Sequence, residues 1–199
     1  MARRRQTREE QRHATRAAIL ATATKLFLKQ GIEATSLDAV AARLGLTKGA
    51  IYANFASKPD LVRAVAEAAS SGSADALAVL LRPDLSLTQR LRRFARSLVT
   101  DRFSRELVLL DLEYLIYAAR NRRWARSVRR ERDASLQGLA DRFRAVTRRE
   151  RLPLDEVRFL ELLMLVGRGI IQKRTVDPGS LTASDAEAMV CALLQKPRR

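Results

Sequence analysis

The chain has 199 residues, 47% of them apolar and 30% charged, with a formal net charge of +16. That is enough for a real core in one medium domain, or in a small domain joined to a larger one. The single cysteine, Cys191, excludes an internal disulfide and fits a reducing cytoplasm, the expected location. The charge predicts attraction to polyanions that weakens in salt, without choosing between nucleic acid and an anionic membrane.

Ala, Leu, Arg and Glu dominate, and no alternating Val/Ile/Thr run reads as a strand, so an all-α fold of about nine helices is expected. The start, MARRRQTREEQ, has no apolar segment and does not read as a secretory signal. The longest apolar stretch, Leu160–Ile171, is broken by Glu161 and Arg168 and is too short to span a bilayer. No membrane partner is expected.

Residues 1–8 form a basic arm in which Arg3, Arg4 and Arg5 read as a solvated tail before they read as a minor-groove probe. A helix follows from about Glu9 to Gln30, with Ile19, Leu20, Ala23, Leu26 and Phe27 as its buried stripe and Gly31 as its stop. His13, the only histidine, has no ligand set around it and reads as surface. Ser36 then suits an N-cap, and Asp38 the positive end of a helix dipole. Leu37, Val40, Ala41 and Leu44 share one helical face, and Gly45 sits where a left-handed cap is needed. Thr47 caps a second short helix, about Lys48 to Asn54, with Ile51 and Phe55 pointing inward. Ser57 with Asp60 makes a capping-box variant, with Pro59 in the first turn of the next helix.

Two short helices around a tight turn read as a helix-turn-helix, whose second helix enters the DNA major groove. Taken as a bare pattern, they also fit an ordinary two-helix corner. The residue types narrow the choice. Gly31, Thr35-Ser36, Val40-Ala41, Leu44-Gly45-Leu46-Thr47-Lys48-Gly49, Tyr52, Asn54-Phe55, Lys58 and Leu61 together resemble the signature of the tetracycline-repressor (TetR) family, over roughly residues 10–65. The resemblance implies an N-terminal DNA-binding domain, here 1–60, and a larger helical ligand-binding and dimerisation domain, here 61–199. It also implies that Thr35 or Ser36, Lys48, Tyr52 and Lys58 approach double-stranded DNA, and Thr47, Gly49, Ala50 and Asn54 on the same outward surface are expected to meet it too. Asn54 departs from the family's usual His or Tyr, and Ala50 and Ala53 are smaller than many relatives carry. Readout therefore rests on few side chains, with Gly49 and Ala50 offering close apolar contact.

The helix opening at Asp60 is expected to continue into the seventies, where Ser70-Ser71-Gly72-Ser73 weakens it. Leu80 to Ser86 reads as the boundary loop. Five helical segments follow: Leu87–Phe103, Arg105–Ala119, Asn121–Glu150, a helix capped by Asp155 running to about Arg174, and a last helix capped by Ser184 with Glu187 and running to about Gln195. Phe94, Leu98, Phe103, Leu110, Glu113, Tyr114, Tyr117, Trp124 and Phe143 read by composition as plain core. The family resemblance implies a small-molecule cavity among them. Glu113 and Asp111 lie in an apolar run, where a buried carboxylate needs a partner. For Glu113 that is an Arg or a cationic ligand. Arg168 shares a stripe with Glu161 and Gln172 and reads as an ion pair, a solvated face or a pocket wall. Phe159, Leu162, Leu163, Val166, Ile170, Met189, Val190 and Leu193 carry more apolar surface than one fold needs, which points to a two-fold helical dimer, with Gly167 and Gly169 allowing close approach. The resemblance also implies a homodimer. Arg120–Arg132 holds seven arginines and reads as a solvated face. Its distance along the chain from the DNA-reading helix argues against a DNA role.

No nucleophile–base–acid set, metal-ligand spacing or phosphate loop is present, so neither catalysis nor a cofactor is expected. The functional expectation is a one-component regulator, a repressor that binds a palindromic operator as a homodimer and is released by a small-molecule effector. The alternative is a ligand-independent or architectural DNA-binding protein.

Overall fold

The computed structural model describes residues 7–69, 76–99 and 105–195, and among these every regular element is helical. The expected basic arm Arg3–Arg5, the weak point at Ser70–Ser73 and Phe103 lie outside the described residues. The helices are α1 (Arg8–Gln30), α2 (Leu37–Leu44), α3 (Lys48–Tyr52), α4 (Lys58–Ala69), α5 (Leu87–Leu98), α6 (Arg105–Arg120), α7 (Arg122–Thr147), α8 (Glu156–Val176) and α9 (Ala183–Ala192), with a 3-10 turn at Val79–Leu81. No described helix is long and apolar enough to cross a membrane.

Local chemistry starts most of these helices. Thr7 opens α1 with a reciprocal box: the Glu10 amide donates to its hydroxyl, and its own amide donates to the Glu10 carboxylate. Ser86 with Gln89 does the same for α5, and Asp155 caps α8. The last helix starts earlier than the sequence pattern suggests. Its box is Thr182 with Asp185, not Ser184 with Glu187. Both pairs have the right spacing. Glu187 is instead drawn to α5, where Arg92 and Arg96 both reach it.

The chain divides into two compact units, and the division differs from a break after residue 60. One unit contains the described residues up to Ala69 together with Leu109–Trp124. The other contains the remainder. The second unit has the larger core. Phe94, Leu98, Phe143, Phe159, Leu163, Ile170 and Val190 are all in it, and Phe143 stacks on Phe159 with ring centroids 6.1 Å apart. Burial of side chains of this size contributes about 1.5–3 kcal/mol each. Leu80 is fully buried here rather than part of a boundary loop. Gly167 faces α5: a Cβ there would stand 3.4 Å from Leu98 Cδ1 and 3.5 Å from Phe94 Cζ. Its small size therefore serves packing within the chain, while Gly169 is exposed with open space around it.

Arg90 is 2% exposed, and two carbonyls hold it. Its Nε donates to Arg82 O at 2.7 Å and its Nη2 to Val146 O at 3.1 Å. Val146 lies in the last turn of α7, whose negative dipole end suits a cation.

Candidate nucleic-acid interface

The α2–α3 pair is built by three short-range devices. The Ser36 hydroxyl accepts from the Ala39 amide at 3.0 Å and starts α2. Gly45 ends it at φ 66°, in the left-handed region where a side chain is strained. The Thr47 hydroxyl accepts from the Ala50 amide at 3.2 Å and starts α3. Leu37, Val40, Ala41, Ile51 and Phe55 are buried beneath. The third helix opens as the spacing predicts: the Asp60 amide donates to the Ser57 hydroxyl, which donates back to the carboxylate at 2.7 Å.

The outer surface of this pair carries most of the expected DNA-facing groups. Ser36, Thr47, Lys48 and Gly49 are exposed, and Tyr52 is 48% exposed. A Cβ on Gly49 would meet only Thr47 Oγ1, at 4.0 Å, so nothing in the fold requires glycine there. Its bareness is a property of the outer surface. Lys48 pairs with Asp38 at 2.9 Å, and that hydrogen bond, then the charge of Asp38, raises its pKa. Ala50 is half-buried, and its carbonyl accepts from the Asn54 amide nitrogen at 2.9 Å, so part of the Asn54 side chain is turned back onto its own helix.

Thr35 does not belong with this set. It is 1% exposed, its hydroxyl donates to Gly31 O at 2.9 Å, and Gln30 donates to that hydroxyl. Its neighbour Ser36 points outward. Lys58 is half-buried, with Nζ donating to Glu33 O at 2.7 Å and lying 5.7 Å from the centre of the Tyr117 ring. Arg16 was not singled out in the sequence. It lies over the Phe55 ring at 4.2 Å and donates to Asn54 O at 2.9 Å, tying α1 to the end of α3. Its position three residues before Ile19, on the same helix, was the one available signal.

The expected ligand-binding residues divide between the two units. Phe94, Leu98 and Phe143 are packed in the second unit's core. Leu110, Glu113, Tyr114, Tyr117 and Trp124 lie in the first. Tyr114 and Tyr117 meet Trp124 edge-on at 5.0 and 4.9 Å, which fixes the corner between α6 and α7. Burial first, then the charge of Glu33, raises the Tyr117 phenol above its ordinary pKa, so it stays a neutral hydroxyl. The Glu113 carboxylate accepts from the Ile32 amide at 3.1 Å, 81 residues away. A Cβ on Gly31 would stand 3.1 Å from the same carboxylate, and Gly31 is at φ 83°. Glycine is therefore favoured at 31 by the backbone, and a Cβ would also press on the end of the Glu113 side chain. Asp111 and Arg168 are partly buried and both are engaged with other groups.

Of the expected dimer residues, Phe159, Leu163, Ile170 and Val190 are buried in their own unit and have no surface to offer a second copy. Leu162, Val166 and Leu193 are half-buried, and Met189 is 45% exposed. Leu165, not in that set, is 63% exposed.

The helix-turn-helix segment matches a family model. Residues 19–65 fit the N-terminal domain of "Bacterial regulatory proteins, tetR family". Residues 19–65 therefore carry a DNA-binding domain of the TetR type. It is 42% identical over 67 residues to the HTH-type transcriptional regulator AcrR of Shigella flexneri, a match covering 34% of this chain and 31% of that one. The aligned part thus spans about a third of that curated relative. Likeness to solved structures runs the full length. GusR of Salmonella enterica superposes with a TM-score of 0.74 at 20% identity, covering 94% of this chain and 97% of that one. The multidrug binding protein EbrR, complexed with imidazole, superposes with a TM-score of 0.67 at 23% identity, covering 100% of both. At these identities the structural likeness establishes the all-helical TetR-like fold. AcrR is a transcriptional regulator by name.

Proposed function

We propose that this chain is a TetR-family regulator, a one-component repressor that binds a palindromic DNA operator as a homodimer. The observation that carries the reading is the outer surface of α2 and α3. Two capped helices around a left-handed glycine present Ser36, Thr47, Lys48, Gly49 and Tyr52 to solvent, and nothing in the fold requires the bare Gly49 among them. Ser36, Thr47 and Lys48 meet phosphates, Tyr52 the backbone or a base edge, and Gly49 with Ala50 lets the helix approach the groove floor. Lys58 stays at the edge of this surface, held against Glu33.

Two recognition helices need a dimer, and Leu162, Leu165, Val166, Met189 and Leu193 on α8 and its successor segment supply exposed or half-buried apolar surface for one. A small molecule that favours a conformation unable to bind DNA releases the operator, and by reciprocity DNA weakens that ligand's binding. The cytoplasm is the compartment this activity requires.

The test is to mix the full chain with fragmented genomic DNA from its own source at physiological salt and sequence what stays bound. A shared near-palindrome is the expected result. Broad retention with no common motif overturns the repressor reading in favour of an architectural one.

A further inference from the structure

The arginine run that begins at Arg120 is far along the chain from α3, yet its first members share a compact unit with it. Segment Leu109–Trp124 is part of the helix-turn-helix unit. Glu113 holds the Ile32 amide, and Tyr117, four residues on and so on the same helix face, lies under the Lys58 ammonium. One turn further, Arg120 lines a surface cleft with residues 30–34, the turn that leads directly into Ser36 and α2. Asn121 closes α6 by donating to Tyr117 O, and α7 begins at once. Trp124 is buried against Tyr114 and Tyr117, which fixes this corner. Arg120, Arg122 and Arg123 are left on its exposed side, and none of the three is in an ion pair among the described residues.

We infer that Arg120, Arg122 and Arg123 form a second DNA-backbone contact that extends the helix-turn-helix surface. The inference rests on the DNA-binding reading above. The Arg120 guanidinium stands beside the turn that receives the Lys58 ammonium and leads into the positive end of α2, and Arg122 and Arg123 are exposed immediately after it at the same corner. The acids at that turn are Glu33 and Glu113, and the second is occupied by the Ile32 amide. Guanidinium groups are well suited to phosphate oxygens and carry no base information, so the occupant is the sugar–phosphate backbone of duplex DNA. These residues add affinity without sequence preference.

Counterion release makes this measurable, because each phosphate contact contributes about −0.9 to the slope of log affinity against log salt. Binding of the full-length protein to a short duplex of random sequence is followed by fluorescence anisotropy over a series of NaCl concentrations. The variant Arg120→Gln/Arg122→Gln/Arg123→Gln is expected to have a slope shallower by about 2–3. A charge-matched control, Arg148→Gln/Arg149→Gln/Arg151→Gln in the second unit, is expected to keep the wild-type slope. Circular dichroism verifies that both variants remain helical. An unchanged slope in the first variant, or equal changes in both, overturns the inference while leaving the DNA-binding reading intact. Salt-insensitive or absent binding by the wild type overturns that reading itself.

Discussion

The two units differ in what their side chains do. In the helix-turn-helix unit the informative residues are exposed, and short-range hydrogen bonds set their positions: Ser36 to Ala39, Thr47 to Ala50, Ser57 to Asp60. In the second unit the informative residues are buried, and packing across distant helices sets their positions: Phe94 and Leu98 against Gly167, Phe143 on Phe159. A surface whose shape is fixed by capping tolerates change in its outward side chains other than the caps themselves. A core fixed by interdigitation resists change at each site.

That contrast can be tested by substitution. Phe143→Ala should have the largest effect, about 3–5 kcal/mol of stability lost, read from urea denaturation. DNA affinity per folded molecule should not change. Arg90→Ala should follow at about 1–3 kcal/mol, because the carbonyls of Arg82 and Val146 lose their donor inside the core. Thr47→Ala should cost about 1 kcal/mol of stability by removing a cap. Its effect on DNA affinity should be out of proportion to that loss, because α3 has only five residues and no other start signal. A drop in affinity no larger than that of Phe143→Ala would erase the distinction between the units. Met189→Glu should change monomer stability by less than about 0.5 kcal/mol, since the side chain is already largely solvated. Sedimentation should nonetheless show the dimer weakened if this face meets a second copy.

Sequence legibility followed the same division. Caps and the left-handed glycine at 45 depend on a few consecutive residues, so they could be read directly. Adjacent hydroxyls were harder: Thr35 and Ser36 are equally polar, and only the fold shows that one turns inward to Gly31 O. The last helix offered two overlapping boxes in the sequence, and the choice depended on Arg92 and Arg96, about 90 residues earlier, drawing Glu187 away. Apolar periodicity identified the inner faces of α8 and α9 but not what covers them. Phe159, Leu163, Ile170 and Val190 therefore read as interface and are core. Glu113 carried no local signal of its partner, because that partner is a backbone amide in a turn 81 residues away.

The bond between Glu113 and the Ile32 amide also bears on how such proteins exchange parts. A recombination joint after Ala69 looks clean along the chain, but it separates Gly31 and Ile32 from the carboxylate that fits them. A hybrid carrying a foreign N-terminal segment would bring a turn matched to another protein's residue at position 113. Any residue larger than glycine at 31 would sit in a strained backbone conformation and crowd the end of that side chain. A transplant that keeps this turn as it stands therefore takes Leu109–Trp124 with it, two separate stretches of gene inherited as one piece.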